Sequence, residues 1–234
     1  MRHRAVVAVA LLCCISFVAA AYFRFPSKKA DAVFRMMNDA TLVIDPGHGG
    51  EDGGTVSAKG RKEGDVNLLI GKRLYALSNL LGVPAVMSRT EDCSLQTGGG
   101  SFFQRKVSDL KNRVRFVHSV PNAILVSIHQ NHFPDPRYHG AQVFYAASEE
   151  SRLLADSLQH SLAKNLDPQN HRRCKPAKGI YLLEHCDCTA VLVECGFFSN
   201  PQEEELLHNE DYQKKLSLAI MTAMINFRCE AKKS

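Results

Sequence analysis

Three apolar runs in this chain end in residues that can do chemistry. Leu42-Val43-Ile44 leads into Asp45-Pro46-Gly47-His48-Gly49-Gly50, and Ile124-Leu125-Val126 leads into Ser127-Ile128-His129-Gln130-Asn131. The third, Ala190-Val191-Leu192-Val193, runs into Glu194-Cys195-Gly196-Phe197-Phe198. Glu63 stands just ahead of a segment of helical period that starts at Val66, so its carboxylate can project from the first turn back toward the strand ends. Two histidines and one carboxylate on separate elements are the usual protein share of an open catalytic zinc site, with the fourth position left to water. His48, Glu63 and His129 are therefore the candidate metal ligands, and Glu194 is a second carboxylate beside that water. Asn131 and Arg89, each just beyond a strand end, are candidates for orienting a substrate or a ligand.

Each residue also has a plainer reading. A glycine-rich turn after a first strand is often a phosphate loop, but this one contains neither G-x-x-x-x-G-K-[ST] nor G-x-G-x-x-G. A histidine ending a strand is commonly a hydrogen-bonded polar residue. A glutamate opening a helix commonly faces the helix dipole. Glu194 is harder to set aside, because a carboxylate on so apolar a strand costs free energy unless it is paired or used. For Asn131 and Arg89, ordinary loop hydrogen bonding stays open.

Positioning these residues requires strands that present their carboxyl ends together, and the chain supplies them. Strand-length apolar runs alternate with helical stripes, the pattern of an α/β fold built on a mostly parallel, twisted sheet of about six strands, with helices on both faces. The strands are expected at Thr41–Ile44, Val83–Ser88, Ala123–Ile128, Ala141–Ala146, Ile180–Leu183 and Ala190–Val193. Helical stripes run through Val66, Leu69, Ile70, Leu74, Leu77 and Leu81, through Val107, Leu110, Val114 and Val117, and through Leu154, Leu158 and Leu162. A closing helix carries Tyr212, Leu216, Ala219, Ile220, Ala223, Met224 and Phe227. Cys93 to Phe103, with three consecutive glycines, and His132 to Gly140, with two prolines, read as loops, the glycine run mobile.

The 234 residues, 45% hydrophobic and 23% charged, suffice for one domain, expected over 41–230. Residues 1–25 read as a signal peptide or an N-terminal membrane anchor: Arg2 and Arg4 precede the apolar run Ala5 to Ala21, which closes on three alanines. Residues 26–40 read as a linker. Either reading of the leader places the rest outside the cytoplasmic membrane, secreted or tethered. A net charge of +5 suits an anionic wall or membrane surface, and no nucleic-acid-binding motif accompanies it. Of eight cysteines, six lie beyond the leader; buried free thiols account for them, against a structural metal at Cys174, Cys186 and Cys188 whose C-x-C spacing is tighter than usual.

Val43-Ile44-Asp45-Pro46-Gly47-His48-Gly49-Gly50, Ser127-Ile128-His129-Gln130-Asn131 and Val191 through Asn200 together resemble the zinc-dependent N-acetylmuramoyl-L-alanine amidases of the amidase-3 family, in order from about Thr41 to Phe227. That resemblance implies Zn2+ held by His48, Glu63 and His129, Glu194 as the catalytic glutamate, and hydrolysis of the amide between the muramic acid lactyl group and L-alanine in peptidoglycan. The stretch Lys175 to His185, with the short leader, looks most like the germination-specific spore-cortex branch. In that branch the amidase acts with a muramic-acid deacetylase to form muramic-δ-lactam, which implies the space between forespore and mother-cell membranes and leaves room for an activating protein. Two rivals stand beside this reading: another metal-dependent cell-wall hydrolase, which product analysis separates, and a non-catalytic wall-binding module, against which all four candidate residues argue.

Overall fold

The computed structural model describes residues 39–231. The leader and nearly all of the linker expected from the sequence lie outside the described residues. The strands are β1 (Thr41–Pro46), β2 (Ala85–Met87), β3 (Ala123–Asn131), β4 (Gln142–Tyr145), β5 (Lys175–Pro176) and β6 (Thr189–Phe197). The helices are α1 (Glu63–Leu80), α2 (Phe102–His118), α3 (Glu149–Leu166), α4 (Tyr181–His185), α5 (Pro201–His208) and α6 (Glu210–Ala231).

One six-stranded sheet runs in the order β2-β1-β3-β6-β4-β5. β2, β1, β3 and β6 are mutually parallel; β4 is antiparallel to β6, and β5 is parallel to β4. Strands β1, β3 and β6 occupy the middle and are covered on both sides, which is why they read as continuous apolar runs rather than alternating ones. Alternate residues serve opposite faces. Val43, Leu125, Ala190 and Leu192 pack with Val114 and Val117 of α2 and Leu182 and Leu183 of α4. The other face is covered by α1 and α3, with α6 lying against both helices. Ser157 and Ser161 of α3 donate to the Ala223 and Ala219 carbonyls of α6, locking those two helices together.

The expected strand at Ile180–Leu183 is instead the helix α4. Gly179, with φ +73°, reverses the chain, and one helical turn lets the consecutive Leu182 and Leu183 both enter the α2-facing core. A four-residue apolar run carries no period long enough to distinguish the two. The sixth strand is Lys175–Pro176, at the sheet edge, where a proline costs no ladder hydrogen bond. The loop expected to end at Phe103 ends at Ser101, whose hydroxyl accepts from the Gln104 amide while Gln104 Oε1 accepts from the Ser101 amide. That capping box starts α2 two residues early. All six described cysteines outside the leader are free, and of these Cys195 alone is fully buried. Among the described residues no helix is long and apolar enough to cross a membrane.

Candidate active site

The carboxyl ends of β1, β3 and β6 open into one cleft of about 300 Å3, lined among others by His48, His129, Glu194, Lys106 and Tyr181. This is where an open α/β sheet offers a ligand site. Parallel pairing of β3 with β6 sets His129 directly opposite Glu194, and the register breaks immediately beyond. β3 and β6 both run further than their apolar cores suggested, so these two residues are held by the ladder itself rather than by loops.

His48 lies on the loop after β1 with φ +59°, a left-handed conformation that a non-glycine residue adopts at a cost of about 1–2 kcal/mol. Surrounding groups hold it there. Its carbonyl accepts from Arg113 Nη2 at 2.7 Å, and its Nδ1 lies 3.0 Å from Asp52 Oδ2. Glycines are required around it. A Cβ on Gly47 would sit 2.2 Å from the His129 ring, and one on Gly54 would sit 2.7 Å from Glu63 Oε2.

Glu63, the first residue of α1, is buried and saturated with donors. Its Oε2 accepts from the Thr55 amide at 3.0 Å; its Oε1 accepts from the Gln130 amide at 3.0 Å and from Asn67 Nδ2 at 3.3 Å. The same Oε1 is 3.0 Å from His129 Nδ1 and 3.4 Å from His48 Nε2. One ligand atom from each of His48, Glu63 and His129 lies within 4.8 Å of the others, and this is the one such group among the described residues. Two imidazoles and a carboxylate converging this closely suit a small divalent cation such as zinc.

The electrostatics separate the two glutamates. Burial would raise Glu63, but the hydrogen bonds and charges of His129 and His48 hold it far below the usual carboxylate range. Burial would lower His48, but hydrogen bonds to Asp52 and Glu63, with their charges, push it up to about 9. Glu194 has no such partner. Burial pushes it up to about 7, with the Glu63 charge acting in the same direction and His129 and His48 only partly offsetting both. Its Oε2 is buried without a hydrogen bond from any protein group, an arrangement that native structures rarely tolerate without a use for the group.

Beneath the cleft, Asp45 accepts from Arg113 Nη1 at 2.6 Å, from the Ser88 hydroxyl at 2.6 Å and from the Ser127 hydroxyl at 2.8 Å. Arg113 Nε reaches Asp109 at 2.7 Å. This buried network joins β1, β3 and α2 under the loop that carries His48. The sequence carried one signal for it: Arg113 interrupts the apolar stripe between Leu110 and Val114. Asp52, Asn67 and Gln130 were also not singled out, and only Asn67, four residues after Glu63 on the helix face that turns inward, had a position that could have flagged it.

Arg89 does not line the cleft. Its guanidinium donates to the carbonyls of Pro46, Glu91, Gly47 and Gly64, so it ties the loop after β1 to α1. A buried arginine beside a tight loop satisfies backbone carbonyls first. Asn131 ends β3, and its carbonyl accepts from the Phe198 amide at 2.7 Å, which closes the β3–β6 register after the bulge.

Residues 42–226 match the Amidase_3 family, described as N-acetylmuramoyl-L-alanine amidase. The chain is 34% identical over 191 residues to the germination-specific N-acetylmuramoyl-L-alanine amidase of Bacillus subtilis, covering 81% of this chain and 80% of that one. The CwlD amidase from Clostridioides difficile, solved in complex with the GerS lipoprotein, superposes with a TM-score of 0.78 at 35% identity, over 80% of this chain and 98% of that one. A second N-acetylmuramoyl-L-alanine amidase, from Clostridium difficile 630, gives 0.68 at 32% identity over 81% and 97%. With its sheet order, its cleft and the match across most of its length, this chain belongs to the N-acetylmuramoyl-L-alanine amidases of the Amidase_3 family, hydrolases of the amide joining muramic acid to L-alanine in peptidoglycan.

Proposed function

We propose that the chain hydrolyses this amide as a zinc enzyme, with His48, Glu63 and His129 as ligands and Glu194 as the catalytic acid and base. The observation that carries the reading is the convergence of the three ligand atoms beside a carboxylate that is buried and unpaired at one oxygen. Zinc held there supplies Lewis acidity, which polarises a carbonyl and lowers the pKa of water. Glu194, raised to about 7 by burial, is matched to accepting a proton from the attacking water near neutral pH and returning it to the departing L-alanine nitrogen. Glu63 would be held for its ligand role by its other oxygen, Oε2, which accepts from the Thr55 amide. Asn131, at the end of β3 beside the cleft strands, orients the substrate in this reading. Digestion of purified peptidoglycan tests it: wild type should release new L-alanine amino termini, and Glu194→Ala should keep its zinc and release none. Full turnover by Glu194→Ala would sink the mechanism.

The similarity to a germination-specific relative supports a finer reading, removal of stem peptides in the spore cortex ahead of muramic-δ-lactam formation by a deacetylase. The apolar leader supports export, as a secreted or tethered protein, into the space between the forespore and mother-cell membranes. The relative solved with a lipoprotein supports an activating partner for this chain as well. Cells lacking the protein should make cortex without muramic-δ-lactam; normal lactam content would remove the chain from that pathway.

A further inference from the structure

Asp52 follows His48 by four residues on the ligand loop, and both of its carboxylate oxygens are engaged. Oδ2 lies 3.0 Å from His48 Nδ1 and 3.1 Å from Lys106 Nζ, while Oδ1 accepts from the Gly54 amide at 3.3 Å. The opposite ring nitrogen, Nε2, faces Glu63 at 3.4 Å. A neutral imidazole that donates from Nδ1 to a carboxylate keeps its lone pair at Nε2, the atom aimed into the ligand cluster. His48 sits in a loop at φ +59°, so no regular backbone fixes its ring direction and side-chain contacts must.

We infer that Asp52, itself held by Lys106 of α2, is a positioning residue that sets the tautomer and orientation of His48 for metal binding. The inference rests on the zinc reading above. The competing explanation is that Asp52 merely anchors the loop to α2. Its neighbour Glu51 supplies the comparison: it pairs with Arg105 of α2, with Arg105 Nε donating to Glu51 Oε2 at 2.8 Å, and it does not touch His48. Loss of either acid removes one tie between loop and helix, but only Asp52 reaches the ring.

The test is zinc affinity of the full chain, measured by competition with a chromophoric chelator, together with the visible spectrum of the cobalt-substituted protein. Asp52→Ala should weaken zinc binding by about 10- to 100-fold and shift the cobalt spectrum. Asp52→Asn, whose amide oxygen can still accept from Nδ1, should recover part of the loss without a change in the fold. Lys106→Met should give a smaller loss in the same direction, and Glu51→Gln should leave both readouts unchanged. Wild-type affinity in Asp52→Ala would overturn the inference, and so would an equal loss in Glu51→Gln, which would assign the effect to loop anchoring. A wild-type chain that takes up no zinc would instead overturn the metal-centre reading beneath it.

Discussion

Gly47→Ala adds a single methyl group, and the structure says where it must go. The ideal Cβ lies 2.2 Å from Cε1 and Nε2 of His129, whereas ordinary contact begins at 3.4 Å, so the two must separate by about 1.2 Å (3.4 − 2.2). The backbone cannot easily yield: the Gly47 amide donates to the Ile128 carbonyl at 3.0 Å, and its carbonyl accepts from Asn67 at 3.1 Å and Arg89 at 3.0 Å. The imidazole must move instead, while metal–ligand distances tolerate only about 0.2 Å. A shift near 1 Å at a reacting centre can cost about 100-fold in rate. We therefore expect Gly47→Ala to lose most of its bound zinc and at least about 100-fold of its release of L-alanine amino termini. Overpacking of this kind costs about 1–3 kcal/mol, so the metal-free variant should still melt cooperatively, a few degrees below wild type. The assays are zinc content by mass spectrometry, peptidoglycan digestion and calorimetry on the metal-free proteins. Wild-type zinc content and turnover would refute the reasoning, because they would mean that His129 is not held against Gly47.

Two further perturbations test the layers beneath the cleft. Asp45→Asn leaves the buried Arg113 with Asp109 as its one remaining carboxylate partner and should cost about 1–3 kcal/mol near neutral pH. Burial would raise the Asp45 pKa, but Arg113, Ser88 and Ser127 hold it at about 2, below the ordinary 3.8. Its contribution is thus complete above the unfolded value and lost as pH falls through about 2. Urea midpoints should show a wild-type advantage that is level above about pH 5 and shrinks toward pH 2; an advantage unchanged at pH 2 would contradict the pairing. Leu183→Ala opens a cavity between α4 and α2 and should cost about 2–5 kcal/mol while leaving zinc content intact, since α4 carries no ligand. A destabilisation well below that range would show that α4 is not packed into this core.

What could be read from sequence follows from how local each feature is. β1, β3 and β6 are buried on both faces, so their composition alone announced them. Their carboxyl ends announced the site, because polar residues closing apolar strands have few structural uses. The convergence of Glu63 with the two histidines was legible through its place at a helix start. The α4 segment was not, because four apolar residues contain no period, and β5 was not, because two residues joined at a sheet edge carry no pattern at all. The backbone contacts of Arg89 were not legible, because only the fold reveals the four carbonyls around it. Asp52 and Arg113 act through partners on other elements, Asp52 through Lys106 and Arg113 through Asp45, and such pairings exist only once the chain has folded.

An anomalous difference map at the zinc absorption edge, from crystals of the protein grown with zinc, would locate the metal without recourse to activity. We expect one strong peak about 2.0–2.2 Å from His48 Nε2, Glu63 Oε1 and His129 Nδ1, absent from crystals of His129→Ala. A peak at Cys186 and Cys188 instead, or no peak in the cleft at all, would contradict it.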